Sequence, residues 1–237
     1  MTNNLKQIDL LQLQGNEFDS LLNDATVPSG QYQWVRLSVL AEQGNDQDSY
    51  IILNNGSRFS LYVPSGDQSG LKINTPFFVE QDGSTFYTID FDLHKSVNDP
   101  QGFPDYRLRP TLRLMKNDQV GSISGTVDPE FVMAANCANT GGQDDAVYVY
   151  SGFNIMPDDT DAIEPDPIAT ANVKLDPMDG MYKYTAGFIE QGDYTVAFTC
   201  QFASDNPEVD DMIEFVMPTN ATVIAGQATI VNFVGVQ

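Results

Sequence analysis

Two tandem β-sandwiches are the fold this sequence predicts, and three observations predict it. Apolar and polar residues alternate at a period of two along most of the chain. Turn signals such as Asn54-Asn55-Gly56 and Asp82-Gly83 cut these runs into short segments, the pattern of an all-β protein. Acid is also unevenly spread: residues 1–118 carry 15 Asp/Glu against 9 Lys/Arg, a net of −6, whereas residues 119–237 carry 18 against 2, a net of −16. A length of 237 residues accommodates two domains of about 100–120 residues, each with its own core.

The strands follow in order. Pro28-Ser29-Gly30 turns into Tyr32-Gln33-Trp34-Val35-Arg36-Leu37, and Arg58-Phe59-Ser60-Leu61-Tyr62-Val63 alternates in the same way. Thr85 to Leu93 places Ile89, Phe91 and Leu93 on one face and Thr88, Asp90 and Asp92 on the other. Pro110 demotes the stretch Tyr106 to Leu114 to an edge or a bulge. Only Glu17 to Asn23 has helical spacing, with Phe18, Leu21 and Leu22 on one face. A second series runs through Gly121–Val127, Ala146–Tyr150, Ile168–Leu175, Tyr182–Ile189, Tyr194–Gln201, Ile213–Met217 and Thr229–Val234. Lys116 to Val120 is the expected junction, giving domains 1–118 and 119–237. An internal echo supports related modules: Pro28-Ser29-Gly30-Gln31-Tyr32 and Glu190-Gln191-Gly192-Asp193-Tyr194 each put a tyrosine at a strand entrance. There its ring can cap the core and its hydroxyl can bond backbone.

Gly70-Leu71-Lys72-Ile73-Asn74, Ile89 to Ser96, Tyr106 to Leu114, and Val27 to Tyr32 form a set of motifs in the first half. On these, residues 5–115 resemble an uncharacterised domain family of bacterial envelope lipoproteins. The resemblance implies export to the periplasm or cell surface as a lipoprotein. The family's signal and acylated cysteine are absent from this chain, and Met1 to Lys6 has no signal-peptide pattern. That leaves open a first sandwich lacking its N-terminal strands. The second half is similar to carboxypeptidase regulatory-like and prealbumin-like modules in Gly121–Val127, Gly192-Asp193-Tyr194-Thr195-Val196 and Val223-Ile224-Ala225-Gly226-Gln227. Such modules act as spacers, appendages or carbohydrate-binding units, so the likeness specifies a fold and little chemistry. Some relatives in surface fibres join a first-strand lysine to a last-strand asparagine, but the opening strand here gives Asn232 no such lysine.

Charge narrows the partners. A surface with two lysines and no arginine repels phosphate backbones and anionic headgroups, which excludes nucleic acid and leaves cations and neutral polymers. No apolar run approaches the roughly 18 residues of a membrane span. The expected partner is a protein or polysaccharide of the cell envelope. Cys137 and Cys200 are either buried thiols or a disulfide; an acidic, loop-rich module typical of oxidising compartments favours the disulfide.

No catalytic residue is expected. The single histidine, His94, has no nucleophile motif nearby. Calcium is the sharpest positive expectation, because it takes six to eight oxygens from flexible loops. One loop offers Asp158, Asp159 and Asp161, a second offers Asp205, Glu208, Asp210 and Asp211, and Asp144-Asp145 adds a pair. Neither loop has the spacing of an EF-hand. The alternative is a carbohydrate-binding module using aromatic rings, with Tyr182 and Tyr184 spaced to share a strand face. Arg107, Arg109 and Arg113 form a basic cluster expected to dock against the acidic module. The sequence thus predicts a non-enzymatic structural or interaction module, calcium-stabilised or sugar-binding.

Overall fold

The computed structural model describes residues 5–64, 70–100, 102–134, 136–137 and 144–235, so the opening Met1 to Asn4 lies outside it. It is nearly all β. Two compact units emerge: Ala25–Leu114, and the chain from Met115 onward joined by the N-terminal segment up to Asp24.

The first unit is built from short strand pairs, antiparallel except for the parallel pairing of Arg58–Tyr62 with Tyr106–Leu108. Strand β1 (Gly30–Tyr32) pairs with β6 (Phe77–Val79), and β2 (Val35–Leu37) with β5 (Leu71–Ile73). A four-stranded sheet runs β3 (Tyr50–Ile52), β4 (Arg58–Tyr62), β9 (Tyr106–Leu108), β8 (Val97–Asn98), and β7 (Tyr87–Asp92) pairs with β10 (Thr111–Lys116). Its core is small: Ala41, Val63, Leu71 and Leu108, with Leu37, Leu61 and Phe91 packed against them. Pro110 falls between β9 and β10, where no ladder donor is lost. His94 lies in a single helical turn, Leu93–Ser96, whose Lys95 N–H is capped by Asp92.

The second unit is a two-sheet sandwich. One sheet runs β14 (Lys174–Leu175), β15 (Tyr182–Glu190), β11 (Val120–Val127), β18 (Ala228–Ile230). The other runs β13 (Ala169–Asn172), β12 (Ala146–Ser151), β16 (Gly192–Thr199), β17 (Val216–Val223). Ile123, Val127, Tyr184 and Ile189 of the first sheet meet Val147, Val149, Val196, Phe198 and Val223 of the second, which is the alternation of inward residues seen in the sequence. Strand β17 extends past the expected Met217 because it lies at the sheet edge, where Pro218 costs no inner ladder bond. The tyrosine echo has a physical counterpart: Tyr32 donates to the Pro28 carbonyl and Tyr194 to the Glu190 carbonyl, each at 2.8 Å and each four residues back.

The N-terminal segment departs from expectation. Glu17 to Asn23 is not helical, and only Leu10–Gln12 forms a 3-10 turn. Two turns cannot repay helix nucleation without a buried face, and Leu21 and Leu22 remain exposed. The segment instead joins the second unit. The Lys174 ammonium donates to the Gln14 side chain at 2.5 Å, the Phe18 and Phe188 rings meet edge-on at 6.4 Å, and Gly15 lies against Gly187.

Candidate metal centre

Strand β12 is buried on both faces, and this positions the site. Val147 and Val149 point into the sandwich. Ala146, Tyr148 and Tyr150 point the other way and, with Ala197, Ile155, Phe202 and Phe215, form a second apolar cluster. The cover over that outer face comes from the two acidic loops, residues 152–168 and 200–215. Tyr148 packs edge-on against Phe215 and Phe202, with centroids 5.1 and 6.2 Å away.

Both phenols reach the loops. The Tyr150 hydroxyl donates to the Asp158 carbonyl and accepts from the Asp158 N–H at 3.2 Å. The Tyr148 hydroxyl donates to Oδ2 of Asp205, whose Oδ1 accepts from the Thr160 N–H at 3.2 Å. Burial pushes both phenols well above the ordinary tyrosine range, and for Tyr148 the Asp205 charge adds to it, so both remain protonated donors at neutral pH. Tyr148 thereby fixes a carboxylate from the second loop against backbone from the first.

Asp159 is the centre of the arrangement. It is 1 % exposed. Its Oδ2 accepts from the Asp211 N–H at 2.5 Å, while its Oδ1 is buried without a hydrogen-bond partner. Burial pushes this carboxyl above the usual range; the Asp211 N–H pulls it back, and the charges of Asp161, Asp205 and Asp158 push it up again. Around it two sets of carboxylate oxygens converge, each within 4.8 Å: Asp159, Asp205 and Asp211, and Asp159, Asp161 and Asp210.

Five of the seven expected ligands therefore come together, drawn from both loops. Asp158 and Glu208 fall outside the two sets. Asp158 contributes its backbone to Tyr150 and its Oδ1 to the Asp159 N–H at 3.2 Å. The two lysines of residues 119–237 are engaged elsewhere: Lys174 on Gln14, and Lys183 on Asp176 at 2.8 Å and on Asp179. An orphaned carboxylate oxygen in a dry position is costly unless a cation or donor meets it. The donor set is all hard oxygen on loops, which fits calcium.

The tyrosines chosen for sugar binding do not form a platform. Tyr184 is buried in the sandwich core and donates to the Val231 carbonyl at 2.8 Å, and Tyr182 packs against the same core. Their shared strand face is the inward one, so Tyr184 has no free ring face and Tyr182 presents only part of its ring. Trp34 is exposed, with the Arg36 and Lys72 charges 5.4 and 5.2 Å from its ring. Arg113 bonds Asp90 across β7 and β10 through Nε at 3.0 Å and a terminal nitrogen at 2.5 Å, a partner within its own unit. Asn232 is occupied as well, its Oδ1 accepting from the Thr126 N–H at 2.9 Å.

Cys137 and Cys200 form a disulfide with Cα atoms 5.4 Å apart. It joins the strut after the one-turn helix Pro129–Val132 to the end of β16, where the second acidic loop begins. Sequence reasoning did not identify Tyr148 and Tyr150 as anchors of the site. The signal was the unbroken apolar run Ala146 to Tyr150, which marks a strand covered on both sides.

Residues 1–110 match the model of a domain of unknown function (DUF4382). No curated protein matches the chain, and no solved structure does. The matched region takes in the N-terminal segment and the first unit up to Pro110, short of β10, while every carboxylate of the cluster lies after it. Among the described residues no helix is long and apolar enough to cross a membrane.

Proposed function

We propose that this chain is a non-enzymatic structural or interaction module of a bacterial cell-envelope protein, exported to the periplasm or cell surface and stabilised by calcium. The observation that carries the reading is the buried Asp159 carboxylate, one oxygen unpartnered, at the meeting point of four further aspartates. A cation there ties loop to loop over an apolar sheet face, which is a structural role. The disulfide supports an oxidising compartment. The resemblance to envelope lipoproteins supports the same address, and its partner there is a protein or polysaccharide of the envelope.

Thermal melts of oxidised protein in EDTA and in about 2 mM calcium test the proposal. A site of roughly 0.1 mM affinity adds about 1.8 kcal/mol, or about 4–7 °C in Tm. The expected rise is specific to calcium over matched magnesium and is lost in Asp159→Asn. Identical melts in calcium and EDTA would reduce the loops to a solubilising surface.

A further inference from the structure

We propose that the Cys137–Cys200 disulfide positions the cation site, so that calcium occupancy and disulfide integrity are thermodynamically coupled; this rests on the calcium reading above. The second acidic loop supplies Asp205, Asp210 and Asp211. Its two ends are held by adjacent residues of one strut. Cys200 is joined covalently to Cys137, and Oε2 of Glu214 accepts from the Asn136 amide nitrogen at 2.6 Å. The base of the loop is closed by the Glu214 N–H donating to Oε1 of Gln201 at 2.8 Å.

The strut is itself fixed to the sandwich. The Asp128 N–H donates to the Phe233 carbonyl at 2.8 Å, Asp128 caps the following helical turn, and the Cys137 N–H donates to the Ala134 carbonyl at 3.0 Å. Val132 and Cys137 are part of the main core. The first acidic loop has separate moorings: Tyr150 on Asp158, and the Ile155 N–H on the Thr195 hydroxyl at 3.0 Å. Cutting the disulfide therefore loosens one half of the ligand set and leaves the other in place. Phe202 and Phe215 still dock the loop on Tyr148, so reduction weakens calcium binding rather than abolishing it.

Linkage makes the effect reciprocal: the factor by which the disulfide strengthens calcium binding is the factor by which calcium protects the disulfide. Reduction by dithiothreitol takes two electrons and two protons, turning the bridge into two thiols while the reagent closes to its cyclic disulfide.

The full chain is titrated with calcium by calorimetry in the oxidised and reduced states, and its thiol–disulfide equilibrium with dithiothreitol is measured in calcium and in EDTA. We expect calcium affinity to fall about tenfold on reduction, and the dithiothreitol equilibrium to shift by the same factor. Asn136→Ala, with the disulfide intact, is expected to weaken calcium binding several-fold without changing the melt in EDTA by more than a few degrees. Equal calcium affinity in oxidised and reduced protein overturns the coupling while leaving the cation site standing. Absence of calcium binding to the oxidised chain removes the cation reading itself. Should reduction unfold the chain, the Asn136→Ala variant decides, and an affinity equal to the parent's would overturn the positioning role.

Discussion

Burial pushes the Asp145 carboxyl from its ordinary 3.8 up to about 6, and the neighbouring Asp144 charge adds to the effect. Such a group keeps its proton longer in the folded chain than in the unfolded one. Between pH 3.8 and about 6 the folded state binds more protons, so stability falls as pH rises across that window and stays lowered above it. Asp145→Asn removes the charge and keeps the shape. It is expected to stabilise the protein at pH 7.5 by on the order of 2 kcal/mol, and by almost nothing at pH 3.5. Urea melts at the two pH values check this; a gain of equal size at both would show that charge is not the cause. Asp205 sits in a contrasting environment. It is 4 % exposed, but Tyr148 and the Thr160 N–H hydrogen-bond its two oxygens, so burial there is compensated. Asp159 lies between these cases, with one oxygen served by the Asp211 N–H and the other buried without a hydrogen bond.

Close approach of backbone decides how the elements join. A Cβ on Gly187 of β15 would lie 1.9 Å from the Gly15 carbonyl oxygen and 2.8 Å from Oδ1 of Asn16. Gly187→Ala is therefore expected to lift the N-terminal segment from β15 at a cost of about 1–3 kcal/mol. Hydrogen exchange across residues 10–24 should quicken while β11 and β12 keep their protection; unchanged exchange in the segment would mean that it is not held by this contact. Period-two alternation made most strands of the second unit legible, because inward positions such as Val147, Val149, Val196 and Phe198 are spaced by two. It could not show which runs are covered twice. The rings of Tyr148 and Tyr150 sit under the acidic loops, and a one-dimensional pattern carries no information on what packs over an outer face. The candidate site was legible as composition, two acid-rich loops, but its selection of Asp159 over Asp158 and of Asp210 over Glu208 depends on loop geometry. The Glu17 to Asn23 pattern misled because Phe18 packs edge-on against Phe188 of the sandwich while Leu21 and Leu22 stay exposed, so no helical face is buried.

At the scale of the whole molecule, the devices that hold the chain together are concentrated in one unit. The bridge Cys137–Cys200 and the larger core belong to the chain after Met115, where the five clustered aspartates also lie, whereas Ala25–Leu114 packs a smaller core. Separate cores predict separate unfolding, since two-state behaviour is a property of single domains. Calorimetry of the oxidised chain should show two transitions. A bridge spanning 63 residues contributes about 4 kcal/mol on the chain-entropy account, so reduction should lower one transition by about 10 °C or more. The other transition should stay within about 1 °C, as it should when calcium replaces EDTA. Sodium chloride serves as the control for charge alone, because screening relieves the repulsion among 18 acidic residues in 119–237 without occupying a site. Movement of both transitions together under reduction would mean that the two units unfold as one cooperative body, and the stabilising reach of the bridge would then extend to residues 1–110 as well.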